Sequence, residues 1–177
     1  AAEAAEILAA MPAAAAQAVR ELADYEDDVA GGLMVTELVA FADDLTVGDV
    51  LRDLRHRASE YADYNVQYAY VIDRGQQLVG VLRLRDLLLA PEIQRIASLM
   101  IRDPLTVRDR ASLDDLREFF DGHHFIGVPV VDDRKRLLGV VHRDAVEEAQ
   151  ADRSDQDFMK AQGIVGGDEL RTMPVLV

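Results

Sequence analysis

Ala69-Tyr70-Val71-Ile72-Asp73, then Arg74-Gly75-Gln76-Gln77, then Leu78-Val79-Gly80-Val81-Leu82: two apolar, β-branched runs joined by a polar turn. The pattern returns as Val128-Pro129-Val130-Val131-Asp132, Asp133-Arg134-Lys135-Arg136 and Leu137-Leu138-Gly139-Val140-Val141. In both copies an Asp closes the first run and precedes the Gly of the second by seven residues. Short Val/Ile-rich runs separated by a few turn-forming residues predict a β-hairpin. Asp73 and Asp132 open the turns, because an Asp carboxylate can accept from the backbone two residues on. The hairpins are followed by Arg85-Asp86-Leu87-Leu88-Leu89 and Arg143-Asp144-Ala145-Val146, which read as helices. Upstream, Leu45-Thr46-Val47 leads into Asp49 to Leu54, and Leu105-Thr106-Val107 precedes Leu113 to Arg117. Each is read as a short strand running into an amphipathic helix. A Leu-Met pair, Leu33-Met34 or Leu99-Met100, heads each copy. The chain is therefore an internal duplication of strand, helix, strand, strand, helix, an α+β fold. One sheet face of such a unit is covered by its own helices and the other is left open. Two copies packed sheet to sheet would cover each other.

Outward from the repeat the chain changes character. Ala1–Met11 and Ala13–Leu22 are rich in Ala, Leu, Glu and Gln and predict helices, with Pro12 suited to the opening turn of the second. Gly31-Gly32 reads as a hinge or helix stop. Beyond 150, Asp152–Lys160 predicts an exposed helix, and Gly163, Gly166 and Gly167 a flexible connector. These divisions give four expected segments: 1–32, the end of a truncated helical domain and hinge; 33–97 and 98–150, the two copies; 151–177, a connecting helix and linker.

The 177 residues carry 19 Lys+Arg against 33 Asp+Glu, a formal charge of −14. A surface this acidic repels phosphate backbones, so DNA and RNA are not expected partners, whereas cations or a basic partner are. Cys is absent, which excludes disulfides, thiolate zinc sites and cysteine nucleophiles and suits a reducing compartment. No window approaches the length of apolar chain that spans a bilayer, and no basic region followed by an apolar stretch opens the sequence. The four His residues lack metal-ligand spacing. His123-His124 reads as a turn before Phe125. No P-loop or G-x-S-x-G pattern occurs. Tyr61, Tyr64, Tyr68 and Tyr70 do not alternate with basic residues, so no base-stacking platform is read from them. Nothing supplies a nucleophile or acid–base pair, and the expectation is a protein that is not an enzyme.

The duplicated unit resembles a tandem pair of CBS (cystathionine-β-synthase) motifs, the Bateman module, over residues 33–148. The flanks sharpen the resemblance. Tyr25-Glu26-Asp27-Asp28-Val29-Ala30-Gly31-Gly32-Leu33-Met34, Thr36-Glu37-Leu38-Val39, Gly80 to Ala90, and Phe158-Met159-Lys160-Ala161-Gln162-Gly163 with Gly166-Gly167-Asp168-Glu169 are similar to the cytosolic region of MgtE-type magnesium transporters. The resemblance implies a homodimer and a transmembrane domain of the same chain as partners. It also implies a place on the cytoplasmic side of the bacterial inner membrane, and regulation of a pore by Mg²⁺. This fragment, cut before the first membrane helix, would itself be soluble.

Two sets of site residues follow. Between Asp144 and Asp157, six carboxylates stand against Arg153 alone. On a helix Asp144 and Glu148 share a face, as do Glu148 and Asp152; like charges at that spacing repel. Such a surface is either a solvated helix face or a weak, water-rich site for a hard cation such as Mg²⁺, which takes oxygen ligands and touches one or two carboxylates. By alignment with the family, Asp114, Asp144, Glu148 and Asp157 fall where acidic ligands are expected, with Glu147 and Asp155 as neighbours that could substitute. Asp114 and Asp115 can equally favour a helix macrodipole, and Glu26, Asp27 and Asp28 read as a cap or turn. The alternative function is an adenine-nucleotide-sensing CBS module, of a transporter or of another regulatory protein, with ATP or AMP as the ligand. In CBS pairs that bind nucleotide, a Ser/Thr stands three residues after the hairpin Gly and an Asp six after it. Here those places hold Arg83 and Asp86 in the first copy and His142 and Ala145 in the second. Arg83, Asp86 and His142 are the nucleotide candidates, with Arg83 or His142 available to phosphate.

Overall fold

The structure is a computed structural model and describes residues 25–62, 64 and 66–161. The helices expected within 1–24 and the connector after 161 lie outside these residues. The described elements are α1 (Ala30–Leu33), β1 (Ala40–Ala42), α2 (Val47–His56), β2 (Tyr68–Ile72), β3 (Leu78–Arg83), α3 (Leu84–Leu89), α4 (Ile96–Leu99), β4 (Ile101–Arg102), β5 (Val107–Arg108), α5 (Leu113–Gly122), β6 (Gly127–Val131), β7 (Leu137–His142) and α6 (Arg143–Ala161). Both hairpins are present, Tyr70 pairing with Val81 and Pro129 with Val140. Each hairpin takes a parallel strand on its outer edge, β1 beside β2 and β5 beside β6. The α+β reading and the duplication hold.

The helix starts are made by a repeated local device. Thr46 Oγ1 accepts from Asp49 N at 3.3 Å while Asp49 Oδ2 accepts from Thr46 N at 3.0 Å. Ser112 and Asp115 repeat this at 3.2 and 2.9 Å. These capping boxes satisfy backbone donors that a helix N-terminus leaves free. They also correct the register read from sequence. Leu45-Thr46 is a cap rather than a strand, the strand lies earlier at Ala40–Ala42, and the true counterpart of Thr46 is Ser112. The Gly31-Gly32 pair is likewise not a hinge: both residues lie inside α1, and the Tyr25 ring fills the space beside Gly31. Finally, the helix after the second hairpin and the helix expected beyond 150 are one continuous element, α6, of 19 residues.

Each copy lends its leading segment to the other. Ile101, from the segment that heads the second copy, pairs with Val81 of β3. Val35, heading the first, forms a bridge with Val140 of β7, with both backbone bonds at 2.9 Å. Met100 packs on Gly80 and Met34 on Gly139. One core lies under the first sheet, around Val47, Val50, Val71, Leu82, Leu87 and Ile96. A second lies under the other, around Leu113, Leu116, Phe120, Val128, Val141 and Val146. A third joins them, in which Tyr70 and Leu78 meet Val131 and Val140. That third cluster is the sheet-to-sheet contact that burial of apolar surface requires of the duplicated unit. The hairpin tips also meet: Leu78 N donates to Lys135 O at 3.0 Å and Leu137 N to Gln76 O at 3.3 Å.

Candidate functional site

Several clefts open where the copies meet, and two of them have walls related by the duplication. The larger, of about 260 Å³, is bounded by Tyr68, Tyr70, Val81 and Arg83 of the first hairpin, by Ile101, Asp103, Pro104 and Leu105, and by Phe119, Phe125 and Gly127–Pro129. The smaller, of about 30 Å³, is bounded by Glu37–Val39, Val66–Tyr68, Tyr70, Ile126, Gly127, Val140 and His142. It has room for about one water molecule. Thus Arg83 and His142, equivalent in the repeat, serve different clefts, and Asp86 lines neither. Asp86 instead sits in the first turn of α3, 3.7 Å from Arg85. His142 Nδ1 is enclosed without a hydrogen-bond partner among the described residues.

The larger cleft has an apolar body with a cation and a carboxylate on its walls, the composition of a small-molecule site. Arg83 is exposed. Asp103 holds a left-handed backbone, φ 48°, a conformation that Asp tolerates better than most residues. Tyr70 is buried, which pushes its hydroxyl up to about 12, with neighbouring Tyr68 adding to the effect. The aromatic walls were not found from sequence. Phe119, His123 and Phe125 form a group of near-parallel rings: centroids are 4.7 Å apart for Phe119–His123, 5.5 Å for His123–Phe125 and 6.2 Å for Phe119–Phe125. No spacing signal marked them, because their proximity arises from the turn between α5 and β6.

The acidic candidates lie on α5 and α6. At 3.6 residues per turn, Asp144, Glu147, Glu148, Asp152 and Asp155 fall within an arc of about 140°. Val146, which is buried, and Ala149 and Gln150, which are half-buried, lie on the opposite side. The acidic arc therefore faces away from the core. None of these carboxylates has an ion-pair partner among the described residues, and Asp144 Oδ1 accepts from Ala145 N at 2.9 Å. Asp114, in the first turn of α5, is engaged by Arg153 of α6 at 3.3 Å. Asp157 is exposed beyond that contact, off the arc. Beside Asp114, Asp115 is held below the usual carboxylate range by the Ser112 hydroxyl and backbone amide. Among the described residues no group of three His, Asp or Glu side chains is poised to hold a metal ion. The donor set is all carboxylate oxygen, which suits a hard cation, but it is spread along a surface. No helix among the described residues is long and apolar enough to cross a membrane.

A duplicated hairpin unit, each copy completing the other's sheet and leaving clefts between them, defines a tandem CBS module. The CBS domain model matches residues 28–92 and 96–152, and the chain belongs to that family. Among curated proteins it is similar to the magnesium transporter MgtE of Thermus thermophilus, 39% identical over 142 residues, covering 80% of this chain and 31% of that protein. The chain spans about a third of the length of the MgtE relatives it matches, 31%, 32% and 34%. Among solved structures it is similar to the cytosolic domain of the Mg²⁺ channel MgtE in complex with ATP. That match has a TM-score of 0.74 and 35% identity, over 81% of this chain and 57% of that one. It is also similar to the soluble part of a magnesium transporter, with a TM-score of 0.76 and 30% identity, over 84% and 57% of the two chains.

Proposed function

We propose that this chain is the Mg²⁺-responsive regulatory region of an MgtE-type transporter, on the cytoplasmic side of the bacterial inner membrane. It works by binding and conformational change, without catalysis. The observation that carries the reading is the outward acidic arc of α6, without ion-pair partners among the described residues, in a chain similar to MgtE cytosolic domains. When bound, Mg²⁺ supplies two positive charges and accepts one or two carboxylates while keeping several of its waters. The chain's own part is to hold Asp144, Glu147, Glu148 and Asp155 on one helix face, with Asp114 and Asp157 off that arc. There they meet a second negative surface, which belongs to a second copy in a homodimer or to the acidic N-terminal region. At low Mg²⁺ the surfaces repel and separate. At high Mg²⁺ they close, and α6, which leads towards the transmembrane domain of the same polypeptide, carries the movement to the pore. Limited proteolysis across zero to tens of millimolar Mg²⁺ tests this. Protection that rises with Mg²⁺ and is not reproduced by Na⁺ at equal ionic strength supports it; an unchanged cleavage pattern removes it.

A second ligand is favoured by the larger cleft. Its aromatic and apolar walls suit an adenine ring, and Arg83 suits a phosphate. A solved relative holding ATP supports the same reading. Calorimetry with ATP and AMP, with and without Mg²⁺, tests it: saturable binding lost in Arg83→Ala supports the cleft as an adenine-nucleotide site, and no heat from either nucleotide rejects it.

A further inference from the structure

We propose that Arg143 is the positioning residue of the larger cleft, holding the 123–125 segment so that Phe125 walls it in the arrangement a purine base needs; the proposal rests on the nucleotide reading above. Arg143 opens α6, where a cation opposes the helix macrodipole, so its charge serves something other than its own helix. The guanidinium reaches back across the α5–β6 turn. It donates to Phe120 O at 2.8 Å, to His123 O, and to Phe125 O at 3.1 Å, and it lies 5.0 Å from the centre of the Phe120 ring. The Arg143 backbone N donates to Ile126 O at 2.8 Å. One half-buried residue thus fixes both ends of the segment that carries His123 and Phe125.

The duplication supplies a comparison. Leu84, the equivalent of Arg143, keeps the backbone contact, its N donating to Gln67 O at 3.4 Å. Leu84 has no guanidinium to hold the preceding turn. The first copy's turn, 57–67, is longer than the second's, 123–126, and the backbone contact is kept in both, so that contact alone does not call for the guanidinium. The guanidinium contact occurs in the copy whose turn carries Phe125 into the cleft of about 260 Å³, the same turn placing Ile126 on the cleft of about 30 Å³. Arg143 does not line the larger cleft, so it acts through the ring group.

The test uses Arg143→Met and Arg143→Lys in the full chain, with ATP calorimetry and proton NMR of the His123 ring, whose resonances sense stacking on Phe119 and Phe125. Arg143→Met is expected to weaken ATP by about tenfold, as loss of a supporting contact does when it loosens a site, and to move the His123 resonances towards random-coil values. Arg143→Lys, which reaches one carbonyl rather than three, should fall between. Arg83→Ala should weaken ATP while leaving the His123 resonances in place. ATP affinity within twofold of wild type in Arg143→Met overturns the proposal. So does weakened binding with unshifted His123 signals, which would mark a general loss of stability. Should Arg143→Met not fold, Arg143→Lys decides by the same criteria. A wild-type chain that binds neither ATP nor AMP overturns the nucleotide reading and this proposal with it; wild-type binding that Arg143→Met leaves unchanged overturns this proposal alone.

Discussion

Gly80 and Gly139 are matched in the repeat, yet the same substitution at each has different consequences. A Cβ at Gly139 would lie 2.7 Å from the backbone oxygen of Val35 and 2.8 Å from Met34 Sδ. At Gly80 the three atoms nearest a Cβ all belong to the Met100 side chain: Sδ closest, Cγ at 2.7 Å and Cβ at 3.0 Å. The Met100 Sδ and Cγ can turn aside, leaving only its Cβ in tight contact; the Val35 carbonyl cannot, because Val35 and Val140 exchange two backbone hydrogen bonds at 2.9 Å. Overpacking costs about 1–3 kcal/mol, and weakening two hydrogen bonds adds about 0.5–1.5 kcal/mol each. Gly139→Ala should therefore cost about 3 kcal/mol and Gly80→Ala about 1 kcal/mol. Thermal and urea unfolding measure both, with a fall in Tm on the order of 10 °C expected for the larger. Combining each change with Met→Ala separates the causes. Met100→Ala should recover much of the packing penalty at Gly80, whereas Met34→Ala should recover little at Gly139. Equal costs at the two glycines, or full recovery by Met34→Ala, would refute the claim that the leading segment of one copy is built into the sheet of the other.

The capping boxes predict that Thr46→Ala and Ser112→Ala each lower stability by about 1 kcal/mol, measurable by urea denaturation. Asp49 and Asp115 are held below the ordinary carboxylate range, first by the hydroxyls of Thr46 and Ser112. Their contribution is thus complete above the unfolded value of about 3.9 and is lost as pH falls through the folded values. Tm plotted against pH should drop less steeply on the acid side in Asp49→Asn and Asp115→Asn than in wild type. Tyr70 behaves in the opposite sense. Its folded value of about 12 exceeds the ordinary 10.0 of a tyrosine, so stability is lost as pH rises between them. Burial raises Tyr25 and Tyr61 as well, so absorbance titration in alkali should show several late-ionising tyrosines, one fewer in Tyr70→Phe.

Much of the fold was legible because the hairpins carry their own punctuation: Asp73 and Asp132 bond the turn amides of Gly75 and Arg134 at 2.8 Å, as their sequence positions suggest. The helical half of the repeat was misaligned because the first copy has a longer connection, 57–67, than the second, 123–126. Leu45-Thr46-Val47 and Leu105-Thr106-Val107 match in letters across that difference but not in structure. The T-x-x-D and S-x-x-D caps at Thr46 and Ser112 held the correct alignment in plain view. The exchange of leading segments was not legible, since a strand's partner is set by tertiary packing rather than by its own residues. For the same reason the sequence named Arg83 as a cleft residue but not Phe119, Phe125 or Asp103, and it grouped Arg83 with His142, which the fold assigns to separate clefts. The acidic arc of α6 was visible in part as Asp144, Glu148 and Asp152. Its outward direction required knowing that Val146 is buried.

The central claim is that the carboxylates of α6 set the shape of the molecule through divalent cations. Small-angle scattering of the wild-type chain and of a variant with Asp144, Glu147, Glu148, Asp152 and Asp155 changed to Asn or Gln measures it directly, each titrated with Mg²⁺ at constant ionic strength. The account predicts a radius of gyration that shrinks with Mg²⁺ in the wild type, and a variant that is already compact and does not respond. A wild type whose radius is the same at every Mg²⁺ concentration, or a variant that contracts as the wild type does, would contradict it.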